Sequence, residues 1–550
     1  AWPKCAGTRG LAYIKVRNTS MVAQGWGLLC LPTKECTNPP LGYPFGQMIK
    51  LSGSIDSQLS IDVTDVSHAD ITDLTQRFTV LNPEVDKRMM LGLSTNHISA
   101  SVRLYKYEYR LGPSGEKRRW ITLPRGSTLS TIRMLKGRGY ELEIQKNVTS
   151  FDVFKPTVSD LGVDLRDYQE DAVNKMIDRV QGFISLPCGA GKTVIGSSAI
   201  VLANQPTIVL VHTEDLCKQW EEAFSNLHFL QPRVVGSSKN PHFKWKPLGP
   251  GEVAICMVQT LHANQHLRGP LLQSAGAVLL DECHHAPANS FRTLFDEIPA
   301  RFRWGLTATP ERSDGWTGLL PMFIGPKLYA KSMEELVSAG YLMQPKIFAI
   351  DSGFAPPPLN TKGNTHKSAT KAVSWVCNNV ERTEMVVQLA AMASDNERVV
   401  LLLVPRVALA SKIAQRLREI GHSAKAITGR VSKEGRAHTL NQIRSGVLNI
   451  LCATQLADEG LDVPNIDFLI NASGGRTSGR AIQRIGRAMR VSKDKPTPIV
   501  VEVVDGGGMF RSQWKARSLA YRSHLNCQPS ALMKIEQIRH VLDREFNDII

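Results

Sequence analysis

Two acidic residues and two histidines directly follow an apolar run in the stretch VLLDECHHAP, residues 278–287. Such side chains at the end of a buried strand suit three kinds of site. Cysteine and histidine are zinc ligands, and a polar turn is common after any strand. Alternatively, Asp281 and Glu282 could serve magnesium and an attacking water at the carboxyl end of a parallel sheet. A zinc site would need a matching Cys/His pair at a typical spacing elsewhere, and none presents itself.

A second polar segment, ISLPCGAGKT at residues 184–193, lies between an apolar run and a predicted helix. Its small residues 189–191 let backbone N–H groups approach phosphate oxygens at a helix start, where anions are favoured. Lys192 would reach the β and γ phosphates, and the Thr193 hydroxyl would bind Mg²⁺. Leu186 replaces the first glycine of the full phosphate-loop pattern, and a glycine turn with a chance lysine is the alternative.

The acidic pair follows Lys192 by about 90 residues in the chain. This separation suits the phosphate-binding and magnesium-binding parts of one nucleotide site. In that interpretation Asp281 holds Mg²⁺, often through water, and Glu282 orients and deprotonates the attacking water. The same stretch could instead be an ordinary polar turn.

Short apolar runs separated by helix-length segments predict the elements that position these residues. GFISLP, TIVLVH, VAICMV and AVLLDE are typical of a parallel sheet covered on both faces. The pattern restarts at RVVLLLVPRVALASKIAQRL, so we predict two tandem α/β modules. The expected divisions are an N-terminal region of unknown fold (1–90), a small basic α+β domain (91–155), the two modules (156–343 and 344–507) and a C-terminal helical segment (508–550).

The small domain contains SVRLYKYEYRLGPSGEKRRWITLP, residues 101–124, which predicts a β-hairpin; a helix and a strand are predicted after it. Basic residues interleaved with aromatic ones can bind a nucleic-acid strand by charge and stacking. Alternating tyrosines are equally typical of a buried sheet face. Arg118 and Arg119 follow the predicted turn and are the candidate contacts here. If they do not touch nucleic acid, we expect a protein-docking module.

The composition indicates which kind of partner and which cellular compartment to expect. With 550 residues, about three domains are expected, and the net charge of +16 favours a polyanionic partner over a merely basic surface. The ten cysteines are scattered, many within apolar runs, which favours reduced thiols and a cytoplasmic protein. The opening AWPKCAG shows no secretory pattern, and no apolar run reaches about 18 residues, so we expect no membrane segment. Cys5, Cys30 and Cys36 are poorly spaced for a metal site.

The chain resembles the superfamily 2 helicases of the DExH type. The motifs that carry the resemblance occur in the family's order: LRDYQ (165–169), LPCGAGKT (186–193), VHTEDLCKQW (211–220), VQTL (258–261), DECH (281–284), LTATP (306–310), LLVPRVALA (402–410), ATQLADEGLDVP (453–464) and QRIGRAMR (483–490). LPCGAGKT and GLTATPERSDG are most similar to XPB-like DNA helicases and their phage relatives of the UvsW type. ADEGLDVP departs from XPB itself and is commoner in prokaryotic and phage members. WITLPRGSTLSTIRMLKGRGYELEI resembles the small domain that precedes the core in phage-like members.

The resemblance implies an α/β fold with two tandem RecA-like parallel-sheet domains and an N-terminal α+β accessory region. It implies ATP and Mg²⁺ bound between the two domains. The implied catalytic residues are Lys192, Asp281, Glu282, Arg487 and Arg490, and Thr193 and Asp281 would hold the metal. The implied nucleotide-binding residues are Arg166, Gln169, Pro187, Cys188, Gly189, Ala190, Gly191, Lys192, Thr193, Gly460, Asp462 and Gln483. A solvated basic helix face is the alternative for the pair Arg487 and Arg490.

The nucleic-acid strand would cross both domains on short polar groups that contact phosphates and carry no sequence code. The implied contacts are His212, Thr213, Gln259, Thr260, Arg406 and Thr454, joined by Arg118 and Arg119 of the hairpin. His212 could equally be an ordinary turn histidine.

We therefore expect an ATP-dependent DNA helicase or translocase that remodels or unwinds branched or duplex DNA without sequence specificity. Its expected partners are single-stranded, forked or branched DNA and other replication, repair or recombination proteins, in a prokaryotic or phage-infected cytoplasm. The alternatives are a nucleic-acid-stimulated ATPase subunit that gates assembly of a larger machine, and an RNA helicase.

Overall fold

Three sheet-containing units make up the chain, seen in a computed structural model. The structure describes residues 16–17, 48–82, 85, 88–89, 94–235, 245–285, 289–308, 319–357, 365–429, 431–454, 463, 465–474, 485–486, 489, 491 and 495–547. None of the helices within these ranges is both long and apolar enough to cross a membrane.

In its described residues, the N-terminal unit is a mixed sheet accompanied by the helices α1 and α2. Its elements are β1 (Val16–Arg17), β2 (Ile49–Ile55), β3 (Gln58–Asp62), α1 (His68–Arg77), β4 (Thr79–Leu81), β5 (Ser101–Arg103), β6 (Lys106–Leu111), β7 (Lys117–Pro124), α2 (Thr128–Gly137) and β8 (Tyr140–Lys146). Six strands pair in the order β1-β8-β2-β3-β7-β6, and β4 pairs with β5 separately. The predicted hairpin is the antiparallel pair β6–β7, and the predicted helix and strand are α2 and β8.

This sheet crosses the division that we expected near residue 90. β3 pairs with β7 and β2 pairs with β8, so strands on both sides of the division share one hydrogen-bonded sheet. The segment IKLSGSI of β2 alternates polar residues with Leu51 and Gly53, which are buried, so this strand follows a period-two pattern that we missed in the sequence. Residues 49–62 therefore belong structurally with the small basic domain that was expected to begin after them.

The first α/β lobe has a seven-stranded sheet in the order β11-β12-β10-β13-β14-β9-β15, with every pair parallel. Its strands are β9 (Gln181–Ser185), β10 (Thr207–Val211), β11 (Arg233–Val235), β12 (Val253–Met257), β13 (Ala277–Leu280), β14 (Phe302–Thr307) and β15 (Lys327–Ala330). Its helices are α3 (Asp167–Arg179), α4 (Lys192–Ala203), α5 (Glu214–His228), α6 (Val258–Ala263), α7 (Gly269–Gln273), α8 (Asn289–Phe295), α9 (Leu320–Phe323) and α10 (Met333–Ser338). All residues of β10, β13 and β14 are buried, as expected for strands with helices on both faces.

The second lobe repeats this arrangement, with all-parallel pairing in the order β18-β19-β17-β20-β21-β16-β22. Its strands are β16 (Lys346–Asp351), β17 (Val400–Val404), β18 (Ala424–Ile427), β19 (Ile450–Thr454), β20 (Phe468–Asn471), β21 (Ile499–Val504) and β22 (Leu532–Met533). Its helices are α11 (Thr365–Asn378), α12 (Val380–Asp395), α13 (Val407–Glu419), α14 (Lys433–Arg444), α15 (Gly508–Leu525) and α16 (Ile535–Asn547). The prediction of two tandem parallel-sheet domains is confirmed. The C-terminal segment, expected to be helical, also supplies β22 to this sheet.

Two buried arginines join the N-terminal unit to the first lobe. Arg125 donates to the backbone oxygens of Asp56 (2.8 Å), Ala300 (2.6 Å) and Arg301 (2.9 Å). Arg303 donates to the Ser57 oxygen at 2.8 Å. A buried guanidinium is costly unless acceptors satisfy it. These crossing hydrogen bonds therefore fix the N-terminal unit against the lobe in one orientation.

Candidate active site

The loop between β9 and α4 has a backbone that only glycine adopts easily. Gly189 and Gly191 have φ of +88° and +76°, in the left-handed region where a side chain is strained. A Cβ on Gly191 would also collide with the Gln169 amide nitrogen. Gly191 directly precedes α4. The first backbone N–H groups of this helix can therefore donate to an anion held in the loop.

Lys192 and Thr193 begin α4 and are already oriented within the loop. The Lys192 Nζ donates to the backbone oxygens of Leu186 (3.2 Å) and Pro187 (3.3 Å). A phosphate in the loop would offer this ammonium a charged and stronger acceptor. The Thr193 hydroxyl accepts a hydrogen bond from the Gln219 amide at 3.3 Å, so its oxygen is held in place by α5.

The acidic pair stands at the carboxyl end of β13, as predicted. One carboxylate oxygen of Asp281 accepts the Trp220 indole N–H at 2.8 Å, and the other accepts the backbone N–H of Glu282 at 2.8 Å. Burial, reinforced by the charge of Glu282, raises the pKa of Asp281. Burial alone would also raise the pKa of Glu282, but the hydrogen bond with His284 and the charge of Lys192 lower it overall. Glu282 is thereby kept ionised, as a general base requires.

The backbone conformation of Glu282 distinguishes this site from an ordinary polar turn. Glu282 has φ of +47°, a left-handed conformation that costs free energy for a residue with a side chain. Its Oε2 atom is buried, and His284 Nδ1 lies 3.3 Å from it and 3.2 Å from the Thr307 hydroxyl. His284 therefore links the strained Glu282 to Thr307 of LTATP. This arrangement favours a functional site over a simple polar turn.

The oxygen donors present suit magnesium. Mg²⁺ is usually bound through one or two carboxylates plus substrate phosphates, and so needs no cage of protein ligands. Asp281 supplies the carboxylate and Thr193 the hydroxyl, and both are held by adjacent residues of α5, Trp220 and Gln219.

The zinc alternative does not fit Cys283. Its side chain is fully buried, and a Cβ on Gly305 would lie only 2.7 Å from its sulfur. Burial raises the pKa of the thiol well above its usual value, whereas zinc requires the thiolate. Across the described part of the chain, no group of three His, Cys, Asp or Glu side chains is placed to hold a metal ion.

The segment LRDYQ, whose Arg166 and Gln169 were expected to bind the nucleotide, lies against the phosphate loop. The Gln169 amide accepts from the Arg166 backbone N–H at 3.0 Å and donates to the Ala190 oxygen at 3.3 Å. Tyr168, which we did not single out from the sequence, donates its hydroxyl to the same oxygen at 2.8 Å. The Arg166 guanidinium stacks over the Tyr341 ring at 5.2 Å. Tyr341 lies outside every motif, so sequence reasoning had no signal for it.

The second lobe's expected contribution is only partly visible. Gly460, Asp462, Gln483, Arg487 and Arg490 lie outside the described residues, and their roles stay predictions. Their described neighbour Gly486 approaches the phosphate loop so closely that a Cβ on it would lie 2.7 Å from the Cys188 Cβ. Gly486 of QRIGRAMR therefore lies against the nucleotide loop of the first lobe.

The expected strand-contact residues of the two lobes lie at or just after the carboxyl ends of sheet strands. His212 and Thr213 follow β10, Gln259 and Thr260 follow β12, Arg406 follows β17, and Thr454 ends β19. Thr213 caps α5 by accepting the Leu216 N–H at 3.3 Å, and Gln259 donates to the His212 oxygen at 3.0 Å. The exposed Arg406 donates to the Ser374 hydroxyl at 2.7 Å.

The hairpin places its two candidate arginines differently. Arg118 forms ion pairs with Asp62 and, at 2.9 Å, with Asp65, so it is not the free surface cation that we expected. Those partners lie more than 50 residues earlier in the chain, beyond the reach of a local pattern. Arg119 lies over the Tyr107 ring at 5.7 Å. Tyr107 and Tyr109 are 42% and 72% exposed, so a buried sheet face does not explain these two tyrosines, whereas Tyr105 packs against the core.

Comparisons with known proteins agree with this geometry. Residues 162–312 match the family described as "Type III restriction enzyme, res subunit", and residues 381–492 match "Helicase conserved C-terminal domain". "DNA 3'-5' translocase XPB2" of Sulfurisphaera tokodaii is 28% identical over 410 residues, which cover 68% of this chain and 89% of that protein. "Probable helicase D10" of Escherichia phage T5 is 25% identical over 433 residues, covering 78% and 89%.

A solved structure supports the fold alone. A Dbp5 variant of S. cerevisiae bound to RNA and ADP BeF3 superposes with a TM-score of 0.50 at 15% identity, over 69% of this chain and 93% of that one. Two RecA-like sheets with a phosphate loop and an acidic pair define a helicase-type ATPase. The chain carries the two matched helicase domains that its motifs predicted, and it is similar to XPB-like and phage helicases.

Proposed function

We propose that this protein is an ATP-dependent DNA helicase or translocase that remodels or unwinds branched or duplex DNA without sequence specificity. One observation carries the proposal. Helix α5 begins at the expected strand contact Thr213, and its residues Gln219 and Trp220 bond to Thr193 and Asp281 of the nucleotide site. A change at the nucleotide is therefore transmitted by one rigid helix to the edge where a strand would lie.

The residues divide the chemistry among them. Lys192 binds the β and γ phosphates, Thr193 and Asp281 hold Mg²⁺, and Glu282 takes the proton of the attacking water. When bound, Mg²⁺ supplies charge neutralisation at the phosphate oxygens. Arg487 and Arg490 stabilise the charge that develops on the γ-phosphate, a role typically worth ~10³–10⁵ in turnover. Phosphate contacts along both lobes make translocation independent of sequence.

DNA is the favoured substrate because the two sequence relatives described above are named as a DNA translocase and a phage helicase. Replication, repair or recombination proteins are the proposed protein partners. The proposed location is a prokaryotic or phage-infected cytoplasm, in keeping with cysteines that are free and mostly buried in the described part of the chain.

The first test is the substitution Lys192→Ala. It removes the ammonium that binds phosphate, so ATP hydrolysis should fall by at least about 10²–10³, while DNA affinity is retained. Lys175→Ala is the matched control, because that lysine is half-exposed on α3, where it pairs with Asp171 across one helical turn and lies over the Tyr329 ring at 4.7 Å. Near-normal hydrolysis by Lys192→Ala would exclude the assigned nucleotide site.

The substrate class is tested by ATP hydrolysis with single-stranded DNA, duplex, forked DNA and RNA in turn. Stimulation by DNA together with strand displacement supports the proposal. Stimulation without displacement or translocation would favour an ATPase subunit that gates assembly. Stronger stimulation by RNA would favour an RNA helicase.

A further inference from the structure

A cavity of about 330 Å³ lies where the N-terminal unit meets the first lobe. Its walls are the connection between β5 and β6, the end of β7, and the turn that follows α8. The connection bends here because the chain leaves the β4–β5 ribbon and enters the six-stranded sheet. The cavity is large enough for a nucleotide-sized group, and neither the ATP site nor the expected strand contacts include it.

Three cations line this cavity, Arg103 and Lys106 from the N-terminal unit and Arg292 from the first lobe. Among the described residues, none of the three has a carboxylate within salt-bridge distance or a side-chain hydrogen bond. Unpaired cations converging from two sides of one cavity favour an anionic ligand, since phosphate contacts gain affinity by releasing counterions.

Two carboxylates in the cavity do not cancel this charge. Glu297 is occupied by Arg268, which donates to its two oxygens at 2.8 and 2.5 Å. Asp296 is the one remaining acid against three cations. Burial raises the pKa of Asp296, although the charges of Arg303, Arg292 and Lys106 lower it in part.

The walls of the cavity are held rigidly. The buried Arg125 and Arg303 bridge the same two units through backbone oxygens, and the Gln181 amide donates to the Arg125 oxygen at 3.1 Å. Gly126 packs so closely against the backbone of α9 that it leaves no room for a Cβ. A ligand would therefore meet cations that are already in position, with little ordering cost.

The cavity continues into an exposed face of the hairpin. Lys106 is opposite Thr122 in the register of β6 and β7, and Glu108 is opposite Trp120, so these side chains share one face. Arg110 is on the same face, where it stacks on the Trp120 ring at 4.4 Å and pairs with Glu108 at 3.1 Å. Cations with aromatic surfaces that follow one another along a strand are typical of single-strand binding surfaces.

We propose that this cavity binds one backbone phosphate of a single nucleic-acid strand, whose adjoining nucleotides lie along the hairpin face of Arg110 and Trp120. The proposal rests on the proposed function, because it requires a nucleic-acid partner. The same phosphate-ester chemistry could come from a free nucleotide, and the experiment separates the two sources.

The test removes one cation from each wall in the double variant Arg103→Gln/Arg292→Gln. The matched control is Lys136→Gln/Arg179→Gln, which removes two exposed cations from helices of the same two units. Binding of a labelled oligothymidine is measured by fluorescence anisotropy at several salt concentrations, and thermal melting verifies the fold of each variant. Loss of one phosphate contact lowers the slope of log affinity against log salt by about 0.7, and lowers affinity roughly fivefold at 0.1 M salt. The control should keep the wild-type slope.

Competition with unlabelled dTMP distinguishes a backbone phosphate of a strand from the phosphate of a free nucleotide as the ligand of the cavity. The proposal is supported if the cavity variant loses strand affinity and slope while dTMP binds wild type and variant alike. It is overturned if strand binding and its slope are unchanged, or if only dTMP binding is lost. DNA-stimulated ATP hydrolysis by the wild type is measured in parallel. If stimulation is intact and the cavity variant binds normally, only the cavity assignment fails; without stimulation, the proposed function fails as well.

Discussion

The two lobes share one topology and use it differently. Numbered in chain order within each lobe, the strands of both sheets lie in the order 3-4-2-5-6-1-7, and all pairs are parallel. In the first lobe, the first strand leads into the glycine loop, and the fifth leads into Asp281 and Glu282. In the second lobe, the first strand ends at Asp351, which pairs with Arg511 at 2.6 Å, and the fifth leads into Ala472. Residues at strand ends, and not the sheets, make one lobe the nucleotide-binding lobe.

Buried charges show the same contrast. The second lobe neutralises its own carboxylates: Glu502 pairs with Arg517 at 2.8 Å, and Asp505 pairs with Arg382 at 2.6 Å. In the first lobe, Asp281 accepts only neutral donors, an indole and a backbone N–H. A buried carboxylate without an adjacent cation is costly. Asp281 of the first lobe would therefore be stabilised by a nucleotide-bound cation. Glu502 and Asp505 of the second lobe already have arginine partners.

The second lobe's pairs also hold the strand that leads toward QRIGRAMR. Asn471, the last residue of β20, donates to Glu502 at 2.9 Å. Arg382 donates to the Ala472 oxygen at 3.0 Å. The charge networks thus fix the strand end from which the chain runs to the segment expected to supply the γ-phosphate arginines.

The contrast between the two lobes predicts that Glu282→Gln in the first lobe causes the largest loss, which is a loss of ATP hydrolysis. Glutamine keeps the shape of the side chain but loses the base, so ATP hydrolysis should fall by about 10²–10⁴, while ATP still binds with Mg²⁺. Phosphate release and nucleotide binding are measured side by side. Glu222→Gln, on the exposed face of α5, is the control and should hydrolyse ATP normally. Normal phosphate release by Glu282→Gln would return the acidic pair to the polar-turn interpretation.

Sequence patterns predicted what depends on neighbours in the chain. The parallel strands, the hairpin, the phosphate loop and the acidic pair all follow from local periodicity and strand-end residues. Contacts between distant segments were missed. The sequence contains Gln219 and Trp220 within a recognised motif, but only the packing of α5 shows that they bond to Thr193 and Asp281. Arg118 was expected to be exposed because it follows a predicted turn, and its partner Asp62 lies in a segment with no clear pattern.

Breaking a buried charge pair of the second lobe should have the next largest effect. Arg517→Met leaves Glu502 buried without its cation, which should lower the free energy of unfolding by about 3–5 kcal/mol. Glu502 also accepts from the Tyr521 hydroxyl at 2.5 Å, so the double variant Arg517→Met/Glu502→Gln keeps an acceptor and removes the charge. Urea unfolding should show that the second substitution recovers part of the loss. If the double variant is no more stable than the single one, the uncompensated charge is not the cause.

The smallest expected effect is a pH dependence confined to the second lobe. Asp467 is buried, and burial raises its pKa to about 6 although Arg398 lies 3.7 Å away and the Val399 N–H donates to it at 3.0 Å. Because the pKa is about 3.8 when the chain is unfolded, the folded state binds more protons between these values. The stability from this group is therefore complete below pH 3.8 and is lost as pH rises through 6.

Asp467→Asn removes this titration and keeps an oxygen that can accept from Val399. The variant should be more stable than wild type at pH 7 by about 3 kcal/mol, with the difference shrinking as pH falls toward 4. Asp543→Asn, exposed on α16, is the control and should show no such trend. Urea unfolding at several pH values measures both. Equal stability of wild type and Asp467→Asn at pH 7 would mean that Arg398 fully compensates Asp467. The second lobe would then neutralise all three of these buried carboxylates, and the contrast with Asp281 would be sharper still.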